Sequence, residues 1–219
     1  MENIRDLYIK RFSNKECLQK AKLWEVLCSC FLQKYIPADS VVLDVGAGYC
    51  DFINNIKAKD KYAVDLNNDT VNFALPDVKV VNANSNNLSF LDNDTVDVVF
   101  MSNFLEHMAN KFEINRTLTE IHRVCKIGGK VIIIQPNIRF IYNEYWDFYD
   151  HNIPLSDRSM VEALKIVGFR VDKVIPRFLP FTTKKWIPKY GFLLKLYLRL
   201  PIVWHILGKQ MFILARKVK

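Results

Sequence analysis

Short apolar runs and longer amphipathic stretches alternate along the chain. Runs rich in valine and isoleucine fall at about 41–45, 61–65, 78–82, 96–101 and 130–134, bounded by Gly, Asn or Asp, as buried strands are. Helices are predicted between them, near 50–58, 68–75 and 110–125. Upstream, residues 14–35 place Leu18, Ala21, Leu23, Val26, Leu27, Phe31 and Leu32 on one wide helical face. Ser156-Asp157 opens a further helix that Gly168 stops, and strands follow at Phe169 to Ile175 and Met211 to Arg216. Alternation of this kind predicts an α/β domain whose mostly parallel sheet is covered on both faces. At 219 residues, half of them apolar, one such domain over 1–219 can bury a substantial core.

Within that frame the stretch VVLDVGAGYCDF, residues 41–52, carries the first chemistry. A buried strand runs into Asp44 and then Gly46-Ala47-Gly48, where glycines permit a sharp turn and close backbone approach to a ligand. Asp65 ends the next strand, 21 residues after Asp44, where a carboxylate can accept from two ribose hydroxyls. A pyrophosphate-binding loop would need a third glycine, and Asp51 would repel a phosphate at the turn. These residues predict a nucleoside cofactor without phosphates and argue against a dehydrogenase.

The pattern D-x-G-x-G resembles motif I of class I S-adenosylmethionine (SAM) dependent methyltransferases, with Cys50 where a third glycine is common. Further landmarks follow in order. Asn84-Ser85-Asn86-Asn87-Leu88-Ser89-Phe90 is similar to the family's D-A-x-x-L-P-F segment, with Asn84 at the acidic position. Ser102 to His107 is similar to the segment ending in "LEH", and Arg123 to Lys130 to the "R-V-L-K-P-G-G" turn, with Ile127 in place of proline. The nearest resemblance is to the ubiquinone/menaquinone-biosynthesis-like branch acting on small molecules. It implies a Rossmann-like seven-stranded sheet whose last strand is antiparallel, with SAM as cofactor. Asp44, Gly46 and Gly48 would hold its methionine end, Asp65 and Leu66 the ribose, and Asn84 with Ser85 the adenine, while Ser102 and Asn103 would close the site.

Charge is concentrated late in the chain. Residues 173–219 hold 11 Lys/Arg and no Asp or Glu, whereas the first 172 carry a net −3. An insertion at about 180–208, before the last strand, threads Lys184, Lys185, Trp186, Lys189, Tyr190, Lys195 and Arg199 through a leucine-rich stretch. Such a segment suits an anionic membrane surface or a lipid-linked substrate. Packing on the core, as a lid, or against a second copy in a homodimer is the other reading. No transmembrane run and no signal peptide is evident, so a cytoplasmic protein, peripheral at the inner membrane surface, is expected. The five cysteines (17, 28, 30, 50, 125) follow no C-x-x-C spacing; Cys28 and Cys30 read as buried thiols, and no metal site is expected.

Ser102-Asn103-Phe104-Leu105 has neither the proline-rich aromatic tetrad nor the Pro-Cys nucleophile of base-methylating enzymes, so nucleic acid is not the expected partner. The segment 135–151 is long, polar and aromatic, as pocket-lining segments are. Tyr142, Glu144, Tyr145 and Trp146 are its candidate substrate contacts. His151 is its candidate general base for a hydroxyl acceptor, oriented by Asp150 or Asp147, and His107 reads as a packing residue. The chain thus reads as a SAM-dependent methyltransferase of a small or lipid-linked acceptor at oxygen. A SAM-binding scaffold without turnover, or an RNA/DNA methyltransferase, are the alternatives.

Overall fold

A computed structural model describes residues 14–181 and 191–219, with side chains from residue 20 onward. Helix α1 (Asn14–Leu27) continues through a π turn (Cys28–Leu32) and a 3-10 turn (Gln33–Tyr35) into β1 (Val41–Val45). Strands β2 (Asp60–Asp65), β3 (Val78–Asn82) and β4 (Val96–Ser102) follow, then α2 (Lys111–Val124) and β5 (Cys125–Pro136). A short helix α3 (Ile138–Ile141), α4 (Asp157–Ile166), β6 (Phe169–Leu179), α5 (Gly191–Arg199), α6 (Pro201–Leu207) and β7 (Gln210–Lys217) complete the order.

The strands form one sheet ordered β3-β2-β1-β4-β5-β7-β6. Neighbours from β3 to β5 are parallel, and β7 runs antiparallel to both β5 and β6. Side-chain alternation sorts each strand between two cores. Val98 and Phe100 of β4 and Ile132 and Ile134 of β5 join α1, α5 and α6 on one face. Val99, Met101, Val131 and Ile133 join α2 and α4 on the other. Helix α4 begins as expected, with a Ser156/Ser159 capping box, and Gly168 at φ +100° ends it.

Two expected helices are absent. Residues 50–58 hold only a 3-10 turn at Ile53–Asn55, and 68–75 one at Asn68–Asn72. Gly48 and Cys50 sit at φ +50° and +57°, outside the helical region. Side chains then compete for backbone partners: Asn54 bonds Phe73 O and Leu75 N, and Asn55 bonds Asp51 O. Helical periodicity was present, but local hydrogen bonds outcompete the i→i−4 ladder. Cys28 is buried as expected, whereas Cys30 is exposed.

The insertion between β6 and β7 is partly core. Leu194, Tyr197, Leu198 and Trp204 are buried against Phe31 and Phe178, and the Tyr197 hydroxyl donates to Phe178 O at 2.5 Å. Its basic residues Lys184, Lys185 and Lys189, with Trp186 and Tyr190, lie outside the described residues. Trp204 stands edge-on to Phe31 and Phe178, and its indole donates to Tyr197 O at 2.7 Å. Trp204→Ala should therefore cost about 3–5 kcal/mol of stability, read by denaturant unfolding. A change under about 0.5 kcal/mol would mean that the insertion is only laid on the surface.

Candidate active site

Chain direction divides at β1 and β4, whose neighbours lead to opposite edges of the sheet. A crevice opens beyond the carboxyl ends of strands at such a point. The β1 turn lies there. Gly46 (φ +72°) donates to Val64 O at 2.9 Å, and Ala47 to the same oxygen at 3.2 Å. A Cβ on Gly46 would stand 2.4 Å from Phe104 Cδ2, so only glycine lets the β4 loop close against the β1 turn. Gly48 has no atom within 4 Å of where its Cβ would be, which leaves backbone open to a ligand.

Asp65 takes the amide of Gly48 on one carboxylate oxygen and that of Asn67 on the other, both at 2.8 Å. A carboxylate offers about four lone-pair sites, so two remain for ribose hydroxyls. Leu66 beside it is exposed. Asn84 is exposed, and its side-chain oxygen accepts from Asn86 N at 3.2 Å. Ser85 is turned inward instead, its hydroxyl 2.9 Å from that of Thr117. The loop they share is held from below by Arg123, which donates to Leu88 O, Leu91 O and the Asn93 side chain.

Asp44 is only 3 % exposed. Burial raises its carboxyl well above the usual carboxylate range, the charges of Asp65 and Asp51 push the same way, and the Ile53 amide opposes them. Burial also raises the Cys50 thiol to about 12, with the same three carboxylates adding to it. Three acidic groups therefore share one turn, with Lys20 on Asp51 at 3.0 Å. That field repels phosphate and favours a cation, and SAM carries both a sulfonium and an ammonium. The residues fit the cofactor. When bound, it supplies a methyl group already activated by positive sulfur. What the chain contributes is orientation, worth up to about 7–11 kcal/mol when reacting atoms are aligned.

On the β4 side, Ser102 is half-buried and Asn103, at φ +47°, donates its amide to Ile134 O. Glu106, within the segment ending in "LEH", is the most unusual group here. It is 1 % exposed, and among the described residues neither carboxylate oxygen has a hydrogen-bond partner. Burial raises its pKa to about 7, which His107 at 4.0 Å partly offsets. His107 Nδ1 meets Asp150 O at 2.9 Å and its carboxylate at 3.4 Å. Asp150, expected with Asp147 as a group that could orient His151, also contacts His107, so His107 has a polar partner besides its packing. His151 is 8 % exposed, with Nδ1 2.9 Å from Tyr145 O and its ring stacked on Phe148. Tyr145 is buried and donates to Ile153 O, while Tyr142 and Trp146 are exposed and Glu144 pairs with Lys209 at 2.5 Å. An acidic-histidine pair directly after an apolar strand was the available signal for this cluster.

Two substitutions separate the carboxylates. Asp65→Ala should weaken SAM binding by about 2–4 kcal/mol in calorimetry, and also loosen the turn, since Gly48 and Asn67 lose their acceptor. Affinity equal to the parent would remove Asp65 from the site. Asp44 behaves oppositely in the cofactor-free protein. Because its folded pKa is raised, the native state holds the proton longer, and stability falls as pH rises from about 4. Asp44→Asn should flatten that fall and raise the cofactor-free melting temperature near neutral pH, while reducing the thermal shift that SAM produces. A lower melting temperature than the parent would overturn this account.

Residues 43–133 match the family model described as a methyltransferase domain. No curated protein matches the sequence. A SAM-dependent methyltransferase from Thermotoga maritima superposes with a TM-score of 0.69 at 19 % identity, covering 99 % of this chain and 97 % of its own. Another from Archaeoglobus fulgidus gives 0.67 at 19 % identity, covering 90 % and 94 %. The [4+2]-cyclase SpnF gives 0.64 at 18 % identity, covering 90 % and 80 %. At such identities these neighbours establish the fold and not the reaction. The domain match spans the glycine turn, the Asp65 and Asn84 loops, β4 and most of β5, so the cofactor-facing half of the chain is similar to a methyltransferase domain, on the fold that these SAM-dependent methyltransferases share.

Proposed function

We propose that the chain methylates an oxygen atom of a small or lipid-linked acceptor, and that the acceptor is the lipid-linked kind, met at a membrane surface. The observation that carries the lipid assignment is a stripe on α5 and α6. Phe192, Lys195, Leu196, Arg199 and Leu200 are all exposed and follow i, i+3, i+4, i+7, i+8 spacing, and Ile202, His205 and Ile206 repeat the pattern on α6. The opposite face of the same helices is in the core, so packing accounts for only half of the apolar residues. Exposed leucine and isoleucine beside cations match the interface of an anionic bilayer better than a polar nucleic-acid groove. No helix among the described residues is long and apolar enough to cross a membrane.

Oxygen is favoured because a hydroxyl must lose its proton, and buried proton-handling groups gather in the β4 loop beside the glycine turn. His151 remains the proposed base, within a cluster that also holds Glu106 and His107. Ser102 and Asn103 border the approach, with Tyr142 and Trp146 available to an acceptor from the exposed side.

Methyl-labelled SAM and a lipid extract test the reaction: label should enter the organic phase and be released as methyl iodide by hydriodic acid, as an O-methyl group is. His151→Ala should lower that turnover by roughly 10²–10⁴-fold with SAM affinity nearly unchanged. Label confined to water-soluble amines would overturn the acceptor class. Vesicle sedimentation tests the surface. Anionic vesicles should bind the protein, salt should release it, and glutamine at Lys184, Lys185, Lys189 and Lys195 should abolish binding, since each engaged cation contributes about 1 kcal/mol. Equal sedimentation with neutral and anionic vesicles would leave the stripe as a contact between two copies.

A further inference from the structure

We propose that Glu106, His107 and His151 form a binding site for one divalent transition-metal ion at the carboxyl end of β4. One ligand atom from each lies within 4.8 Å of those from the other two. Ligands bonded at 2.0–2.1 Å to a tetrahedral ion stand about 3.3 Å apart, so side-chain adjustment of roughly 1 Å closes the set.

Three features make this a built site and not a chance meeting of polar groups. First, the Glu106 carboxylate is taken out of water with both oxygens lacking hydrogen-bond partners among the described residues, an arrangement that is costly unless a cation compensates it. Second, both imidazoles are oriented through Nδ1. Each Nδ1 lies 2.9 Å from a backbone carbonyl, Asp150 O for His107 and Tyr145 O for His151, and so carries the proton. Nε2 is then the nitrogen that would ligate, and for His107 the Asp150 carboxylate at 3.4 Å supplies the outer acidic group that metal-bound histidines commonly have. Third, the two segments are tied by backbone. Asn152 and Ile153 donate their amides to Glu106 O, the Asn152 side chain donates to His107 O, and Tyr145 donates to Ile153 O. Ligand direction is thus set by main chain and not by mobile surface side chains.

Two imidazoles and one carboxylate are a mixed nitrogen and oxygen set. It suits Zn(II), Co(II), Mn(II) or Fe(II) and disfavours Mg(II) and Ca(II), which take mainly oxygen. Three protein ligands leave room for an oxygen from water or acceptor, whose hydroxyl proton a nearby cation would make easier to lose. The inference rests on the oxygen-acceptor reading and changes one role within it: with a metal bound, His151 is a ligand and not the base, and the cation itself eases loss of the acceptor's proton. Spacing could not suggest the site, because the third ligand lies 44 residues after the second.

The test reads metal alone. Protein stripped with a chelator and dialysed against ZnCl₂ should retain about one zinc per chain, and CoCl₂ should give the visible bands of a four- or five-coordinate N/O site. Glu106→Gln and His151→Ala should each weaken cobalt binding by about 100-fold or more, while SAM calorimetry on the same proteins reports that they are folded. Retention below about one-fifth of an equivalent, or unchanged cobalt affinity in Glu106→Gln, would overturn the site. Spectra dominated by thiolate charge transfer would assign the metal to cysteine, and would overturn it too. If metal binds as expected but no oxygen is methylated, the site stands and the acceptor assignment fails.

Discussion

The contact between Phe104 and Gly46 holds the two halves of the active site together. A ring lies where any other residue at 46 would place its Cβ, so the loops after β1 and β4 can only close with glycine there. From that contact the rest is reached through short steps. Gly48, two residues on, is tied to Asp65, and Asn103, one residue before the ring, is tied to β5 through Ile134. Glu106, two residues after it, receives the amides of Asn152 and Ile153. Four strand ends that are far apart in sequence thereby share one rigid floor. Small displacements there matter, since alignment of reacting groups is the main contribution methyl transfer asks of a protein.

Two carboxylic acids on that floor are buried against their own interest. Asp44 and Glu106 are almost without solvent, both have raised pKa values, and the acidic neighbours of Asp44 make its ionised form costlier still. Groups kept in this state lower the stability of the unliganded protein, and proteins retain them where a ligand makes use of them. The floor therefore has two electronegative points, one under the β1 turn and one under the β4 loop. A cationic cofactor answers the first.

Much of this was legible in sequence. Short apolar runs bounded by turn residues marked all seven strands, because a strand buried on both faces is written in contiguous Val and Ile, as in β4 and β5. Asp44, Gly46, Gly48 and Asp65 were legible because strand ends adjoin turn signals. The helices at 50–58 and 68–75 were not, since their residues satisfy a helical pattern while Asn54, Asn55 and the left-handed Cys50 draw the backbone into turns. Nor was the meeting of Glu106, His107 and His151, which depends on how the segment after β5 folds back over the β4 loop. Ser85 was read as facing the ligand, but a serine hydroxyl next to a helix threonine is satisfied inward, and nothing in a single sequence announces that pairing.

The order β5-β7-β6 has a consequence for how the chain is made. Strand β7 lies between two strands synthesised before it, and β6 has no other neighbour in the sheet. A chain that lacks everything after residue 209 therefore has β5 with one bare edge and β6 unpaired, with the Phe31, Phe178 and Phe212 aromatic cluster still missing a member. Open edges of that kind invite pairing with other chains. Closure waits for eight residues, Gln210–Lys217, to slide into the gap. Completion of this sheet thus waits on β7, and a chain broken just before Gln210 would be a sticky fragment and not a smaller version of the same fold.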